Sequence, residues 1–230
     1  MSKRFNMRRK VARRLYWRRL VVVIALLFAL AAVVWAVFFS SLLDARDVEV
    51  EGNHLLDSQT VIDQAQIPIG MPMARIDFNP MTQRLLALPE VEQVSIRRIW
   101  PHRVRIDITE RTMVYQRFFE GGYQWVDAHG KVFLTRQEAV EGIQAQVAND
   151  DSLLAAVSTV VLSIPEQIRD QVESIEAKGE DHIIVHCQSD RKVNWGSADY
   201  SEQKGQLLEV MLSMDGSSID ISVPSHPAIS

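Results

Sequence analysis

Apolar and polar positions change rhythm several times along the chain. From Leu20 to Phe39, twenty residues run without a charge, a proline or a glycine. At about 1.5 Å rise per residue this is roughly 30 Å of helix, the thickness of a bilayer's hydrocarbon core. Polar residues resume at once on both sides: Arg18 and Arg19 before it, Ser40, Ser41 and Asp44 after it. Trp17 and Trp35 lie near its ends, where indole rings favour the lipid–water interface. The pattern predicts a transmembrane helix over 20–39. The competing reading is a cleaved secretory signal cut at Ala29-Leu30-Ala31, but that cut would leave Val33 to Phe39 as an apolar new terminus.

Beyond Ser40 the apolar runs shorten. Val48 and Val50 alternate with Asp47, Glu49 and Glu51, the pattern of a half-buried strand, and Gly52-Asn53 ends it. A helix is expected next, capped by Ser58, with Val61, Ile62 and Ala65 on one face. Asn79-Pro80 predicts a second helix, Asn as cap and Pro in the first turn, with Leu85, Leu86 and Leu88 as its apolar side. Val94 and Ile96 mark one strand, and Val104, Ile106 and Ile108 mark another; the short turn at Trp100-Pro101 makes them a hairpin. The order over 44–111 is strand, helix, helix, strand, strand.

The block 112–230 opens with a hairpin, Met113–Phe119 and Tyr123–Val126 around Gly121-Gly122, followed by Val132-Phe133-Leu134. Gln137 to Ala177 is expected to be mainly helical, with Leu153, Leu154, Val157 and Val161 on one face. Asp181 to His186 and Lys192 to Gly196 read as strands joined by Ser189-Asp190. Asp199 and Glu202 read as the capping pair of a helix to Met214, with Leu207, Leu208, Met211 and Leu212 buried and Gly216 as its stop. Ile219 to Val223 alternate as the final strand. Coming last, this strand is expected at the sheet edge, where its backbone offers donors and acceptors to an incoming strand; closing the core under protective prolines is the plainer alternative.

Charge adds direction. The first nineteen residues hold nine Lys and Arg and no acid. Positive charge beside a first anchor stays in the cytoplasm, so 1–19 is expected inside, where it suits anionic lipids, and the bulk outside. The remaining 16 Lys and Arg face all 29 Asp and Glu, a net −13. An exported part so acidic argues against nucleic acid as a partner. With Cys187 as the only cysteine there is no intramolecular disulfide, and packing must hold the exported blocks together.

Little here points to catalysis. His182, His186 and Cys187 are close in sequence, but on a strand the two histidines share a face while the cysteine points the other way, too few ligands for zinc. A sortase-like cysteine transpeptidase would cast Cys187 as nucleophile with Arg191 and His129 as helpers. The threonine-rich approach of such enzymes is replaced here by Ile-Ile-Val-His. No nucleophile elbow, P-loop or dinucleotide-binding glycine pattern is present, and no cofactor is expected.

Several stretches together resemble the FtsQ/DivIB family of bacterial cell-division proteins. They are Val48-Glu49-Val50-Glu51-Gly52-Asn53, Ile67 to Gly70, Leu88-Pro89-Glu90-Val91, and above all Arg97-Arg98-Ile99-Trp100-Pro101-His102-Arg103-Val104 with Glu110-Arg111 after it. Further on, W-V-D-x-x-G-K-V-F from Trp125 resembles the family's next segment. The run V-x-W-G from Val193, then Lys204, Leu207 and Leu208, then I-D-I-S-V-P from Ile219, resembles the end of its actinobacterial members. The resemblance implies an α+β protein: one N-terminal transmembrane helix, a POTRA-like β-α-α-β-β domain over 44–111, and a second α/β domain over 112–230 with a mainly antiparallel sheet. It implies a bitopic, non-catalytic scaffold at the division septum. Its implied partners are FtsB/DivIC-like and FtsL-like proteins and, through them, the septal peptidoglycan synthases. In the family the FtsB-type partner docks beside the C-terminal strands. The candidate contacts here are Asp220, Ser222, Ser225, His226, Ala228 and Ile229, with Trp195 and Tyr200 as aromatic neighbours. Arg97, Arg98 and Arg103 are read either as a POTRA contact surface or as a solvated strand edge, and Trp100 either as core or as part of the motif. An anchored POTRA protein serving polypeptide transport is the alternative from another class.

Overall fold

The long apolar run folds as one continuous helix. A computed structural model describes residues 3–230, with side chains from Trp17 onward; the basic side chains expected in the cytoplasm before Trp17 lie outside the described residues. Helix α1 (Lys3–Phe39) contains the twenty-residue run, and Trp17–Phe39 is long and apolar enough to cross a membrane. A short 3-10 helix, Ser41–Leu43, follows, its first turn capped by the Ser40 hydroxyl, which accepts from Leu42 N–H.

Two compact units follow from the contacts within the chain, one comprising residues 1–87 and 93–109, the other 88–92 and 110–230. In the first, strands β1 (Asp47–Glu51), β2 (Val91–Ile99) and β3 (Arg103–Glu110) form a sheet in the order β1-β3-β2, with β1 parallel to β3. Helices α2 (Ser58–Ala65) and α3 (Asn79–Leu86) come between β1 and β2. Val61 and Ala65 of α2, Met81 and Leu85 of α3, and Val104 and Ile106 of β3 are buried, so helices and strand both commit their apolar side to one core. This is the strand, helix, helix, strand, strand order expected from the periodicity. The caps lie one or two residues earlier than expected. Asp57, not Ser58, caps α2, accepting from Gln59 N–H; at α3 the cap position is Phe78, with no side-chain cap bond, and the Asp77 carboxylate before it accepts from Asn79 N–H.

In the second unit, nine strands make one sheet: β4 (Tyr115–Phe119), β5 (Gly122–Val126), β6 (Val132–Arg136), β7 (Gln144–Val147), β8 (Val172–Gly179), β9 (His182–Cys187), β10 (Arg191–Gly196), β11 (Ser218–Asp220) and β12 (Ala228–Ile229). Their order is β12-β11-β10-β9-β8-β7-β4-β5-β6. Five of the eight neighbouring pairs are antiparallel; β10–β11, β4–β7 and β7–β8 are parallel. Helices α4 (Asp151–Ser163), α5 (Glu166–Arg169) and α6 (Ser201–Leu212) complete the unit. Leu153, Leu154, Val157 and Val161 of α4 join Ile175, Ile183, Val185 and Val193 of the sheet in the core.

Three expectations are corrected here. Gln137 to Ala177 is not mainly helical: it holds two strands, β7 and most of β8, around α4 and α5. Asp199 does not cap α6; it pairs with Ser197 while Tyr200 occupies the cap in a left-handed conformation, and the helix ends at Leu212, before Gly216. Ile219 does not lie in the edge strand. β11 is only three residues long, and β12, from the chain's last residues, pairs on its outer side.

Candidate partner-binding face

The C-terminal end of the sheet is built on the run Val193-Asn194-Trp195-Gly196. Strand alternation turns Trp195 inward: it is fully buried, and its indole N–H donates to Ser201 Oγ at 3.1 Å. Lys204, in the first turn of α6, is also buried, and its ammonium donates to the carbonyls of Trp195 at 2.9 Å and Ser197 at 2.8 Å. Burial pushes this ammonium below the usual lysine range, partly countered by Asp199. The next residue, Gly205, lies against α4, where a Cβ would come within 2.0 Å of the Ser163 carbonyl oxygen. Only glycine allows that approach. The carboxyl end of α6 is fastened by Arg191, whose guanidinium donates to the carbonyls of Leu212, Met211 and Met214, an arrangement favoured by the helix dipole.

With one side of α6 fixed this way, its other side faces out. Gln203, Gln206, Leu207 and Val210 line a shallow groove whose far wall is Pro224 and Ser225. Val210 is 54% exposed, and Tyr200, just before the helix, is 70% exposed.

Beside the groove runs the strand edge. Asp220 accepts from the hydroxyl and N–H of Ser222 and from the Asn194 amide, and these bonds, the Ser222 hydroxyl first, hold its carboxyl below the usual range. Ser218 and Ser230 exchange backbone hydrogen bonds at 3.0 and 2.9 Å. By the alternation of an antiparallel ladder, Asp220 and Ala228 form the next such pair, leaving Ile229 and Pro227 to face outward. Proline has no N–H. The outer edge of β12 therefore offers one backbone donor, that of Ile229, and is a poor template for strand addition.

Among the residues expected to meet a partner, Ser225, His226 and Ala228 are exposed, as is Tyr200. Ile229 is half-buried and packs against the core, Asp220 lies one strand in from the edge, and Ser222 follows the end of that strand. Trp195 is corrected: its burial leaves no surface for a partner. In the first unit, Arg97 pairs with Asp107 and Arg103 with Glu49. Arg98 donates to the carbonyls of Met73 and Ile76 and stacks on Phe78 at 4.5 Å, so its guanidinium serves the fold. Val210 and Gln206 escaped the sequence reading. The signal was there in Val210, an apolar residue set off from the buried stripe of its helix.

The residues weighed for chemistry do not assemble. Cys187 is buried, and loss of solvent pushes its thiol up to about 11, the nearby Arg191 offsetting this only in part. Arg191 is already committed to α6. His129, in the turn after β5, is four strand positions from β9, roughly 19 Å at ~4.8 Å per strand. Among the described residues no three of His, Cys, Asp or Glu converge as metal ligands, and His186 instead faces Glu176 at 3.6 Å.

The sequence matches known families along most of its length. Residues 43–111 match the family model of the FtsQ-type POTRA domain, and residues 117–222 match that of the C-terminal domain of cell division protein FtsQ/DivIB. Cell division protein FtsQ of Streptomyces collinus is 30% identical over 232 residues, covering 93% of this chain and 88% of its own. The FtsQ of Mycolicibacterium smegmatis is 26% identical over 218 residues, covering 94% of this chain and 64% of its own. Among solved structures, the major extracytoplasmic domain of DivIB from Geobacillus stearothermophilus covers 44% of this chain and 87% of its own, at 14% identity and a TM-score of 0.36. With an anchor-length helix, a POTRA domain, an FtsQ/DivIB-type sheet domain and relatives matched along nearly the whole chain, the protein belongs to the FtsQ/DivIB family of bacterial cell-division proteins.

Proposed function

We propose that this chain is a non-catalytic, bitopic scaffold of the division machinery. Its N-terminus lies in the cytoplasm and the chain beyond Ser40 outside. It holds FtsB/DivIC-like and FtsL-like proteins at the septum and acts through them on the septal cell-wall synthases. The reading rests on the groove between α6 and Pro224–Ser225, an outward-facing surface whose supporting residues, Trp195, Lys204 and Gly205, are all spent on holding α6 in place. An amphipathic partner segment suits it, with apolar side chains against Leu207 and Val210 and polar contacts to Gln203, Gln206 and Ser225. Tyr200, His226, Ala228 and Ile229 extend the same surface. Asp220, in β11, and Ser222, just after it, do not line the groove; they fix the turn that leads to Pro224 and Ser225.

The test uses the full chain in lipid nanodiscs and the exported segment of its FtsB/DivIC-like partner. Val210→Asp places a charge at the centre of the groove on a side chain the fold leaves exposed. Affinity is expected to fall about tenfold or more, the loss typical of a central interface position. Unchanged affinity in a variant that melts like the parent sinks the groove as the docking surface.

A further inference from the structure

Beyond α1, most of the exposed apolar residues of the first unit lie near the connector that leaves this helix. Its exposed large apolar side chains there are Leu42, Leu55, Ile69, Met71, Leu86, Ile99 and Trp100. All but Leu55 and Leu86 sit either on the chain where it leaves the apolar helix or on two segments bound to it. The connector runs from Ser40 to Arg46. Ala45 N–H donates to Met71 O at 3.0 Å, and Gly70 N–H donates to Ala45 O at 2.8 Å. Arg46 N–H donates to His102 O at 2.8 Å, and His102 Nδ1 lies 3.2 Å from Asp44 O. The guanidinium of Arg75 stands 5.6 Å from the ring centre of Phe39, the last residue of α1. The loop at Pro68–Pro72 and the turn at Trp100–His102 are therefore held at the level where the apolar helix ends.

The side chains these segments show are not those of an ordinary soluble turn. Leu42 is 69% exposed, Ile69 57% and Trp100 49%. Arg46 and Arg75 flank them in a chain whose part beyond Ser40 is otherwise strongly acidic. Apolar groups and an indole interleaved with arginine suit the headgroup layer of a bilayer. This patch is continuous with the end of the span itself, and so has one natural occupant.

We infer that the first unit is seated on the bilayer: Leu42, Ile69, Met71 and Trp100 enter the lipid–water interface of the leaflet from which α1 emerges, and Arg46 and Arg75 meet its phosphates. The anchor then acts as a fixed mount, and the domain does not swing on a free tether. The inference rests on reading Trp17–Phe39 as a membrane span but not on its orientation.

Nitroxide spin labels on single cysteines test it, in the full chain with Cys187→Ala, reconstituted into vesicles of phosphatidylcholine and phosphatidylglycerol. Labels at Ile69→Cys and Leu42→Cys report the patch, Leu55→Cys an exposed position off the patch, and Leu27→Cys the span. The expected result is that Ile69 and Leu42 labels collide with a water-soluble nickel chelate about fivefold less than the Leu55 label, as befits groups 5–10 Å into the interface, and contact lipid-borne quenchers. Equal chelate accessibility at positions 42, 55 and 69, with the Leu27 label in lipid, overturns the seating and leaves the anchor standing. A Leu27 label in water overturns both. Shielding from the chelate without lipid contact also overturns it, since a protein surface would then cover the patch.

Discussion

Buried polar side chains in the second unit do structural work that the motifs alone do not reveal. Asp127 of the W-V-D-x-x-G-K run is almost fully buried. Its Oδ1 accepts from the N–H groups of His129 and Lys131 at 2.8 Å each, and its Oδ2 pairs with Arg111. Burial would raise its pKa, but the Lys131 N–H, Arg111 and the His129 N–H outweigh it and hold the carboxyl below the usual range. The same turn brings Gly130 to the backbone of α4, where a Cβ would lie 2.4 Å from Ala155 N. A carboxyl whose folded pKa is depressed contributes in full above the unfolded aspartate value of about 3.9, and that contribution is lost as pH falls through the folded value. Asp127→Asn leaves Arg111 facing a neutral amide and is expected to cost about 3 kcal/mol at pH 7, the scale of a broken buried pair. It should also flatten the loss of thermal stability below about pH 4. Melting curves from pH 7 down to 3 check both; a variant as stable as the parent at pH 7 would make the pair incidental.

At the level of elements, the periodicity carried most of the fold. Alternation found β3, β9 and β10, and the spacing of Leu153, Leu154, Val157 and Val161 found the buried side of α4. What it missed was set by tertiary neighbours. Gln144–Val147, built of residues that favour helix, is a strand because it is fitted parallel between β4 and β8. The order of the last strands was equally hidden, since nothing in Ile219 to Val223 reveals that Ala228 and Ile229 return to cover them. Trp195 was misplaced for a related reason: an aromatic residue near a binding edge looks the same in sequence whether it points out or in. Deleting Pro224 to Ser230 removes β12 and the half-buried Ile229 but none of the main core cluster. The expected cost is about 1–2 kcal/mol, modest because a two-residue terminal strand buries little. Thermal unfolding should stay cooperative, with the midpoint a few degrees lower. Loss of the cooperative transition would mean that the tail organises the sheet.

For the whole molecule, the charge distribution and the apolar helix make one statement. Nine cations fall within the first nineteen residues, and a net −13 follows them. A periplasmic-type enzyme reporter fused after Ser230 is expected to be active only on the outer side of the membrane. Activity of a cytoplasm-dependent reporter at that position would reverse the orientation and remove the scaffold reading with it.

The central claim is that the outward side of α6 and the adjoining tail hold a division partner in the living cell. A photo-crosslinking amino acid placed at Val210 or Ser225, in a host where this chain is the sole copy, tests it most directly. These positions should yield a crosslinked band with a small bitopic coiled-coil division protein, and the same group at Leu55, on the other unit, should not. Crosslinks to that partner from Leu55 but none from Val210 or Ser225 would contradict it.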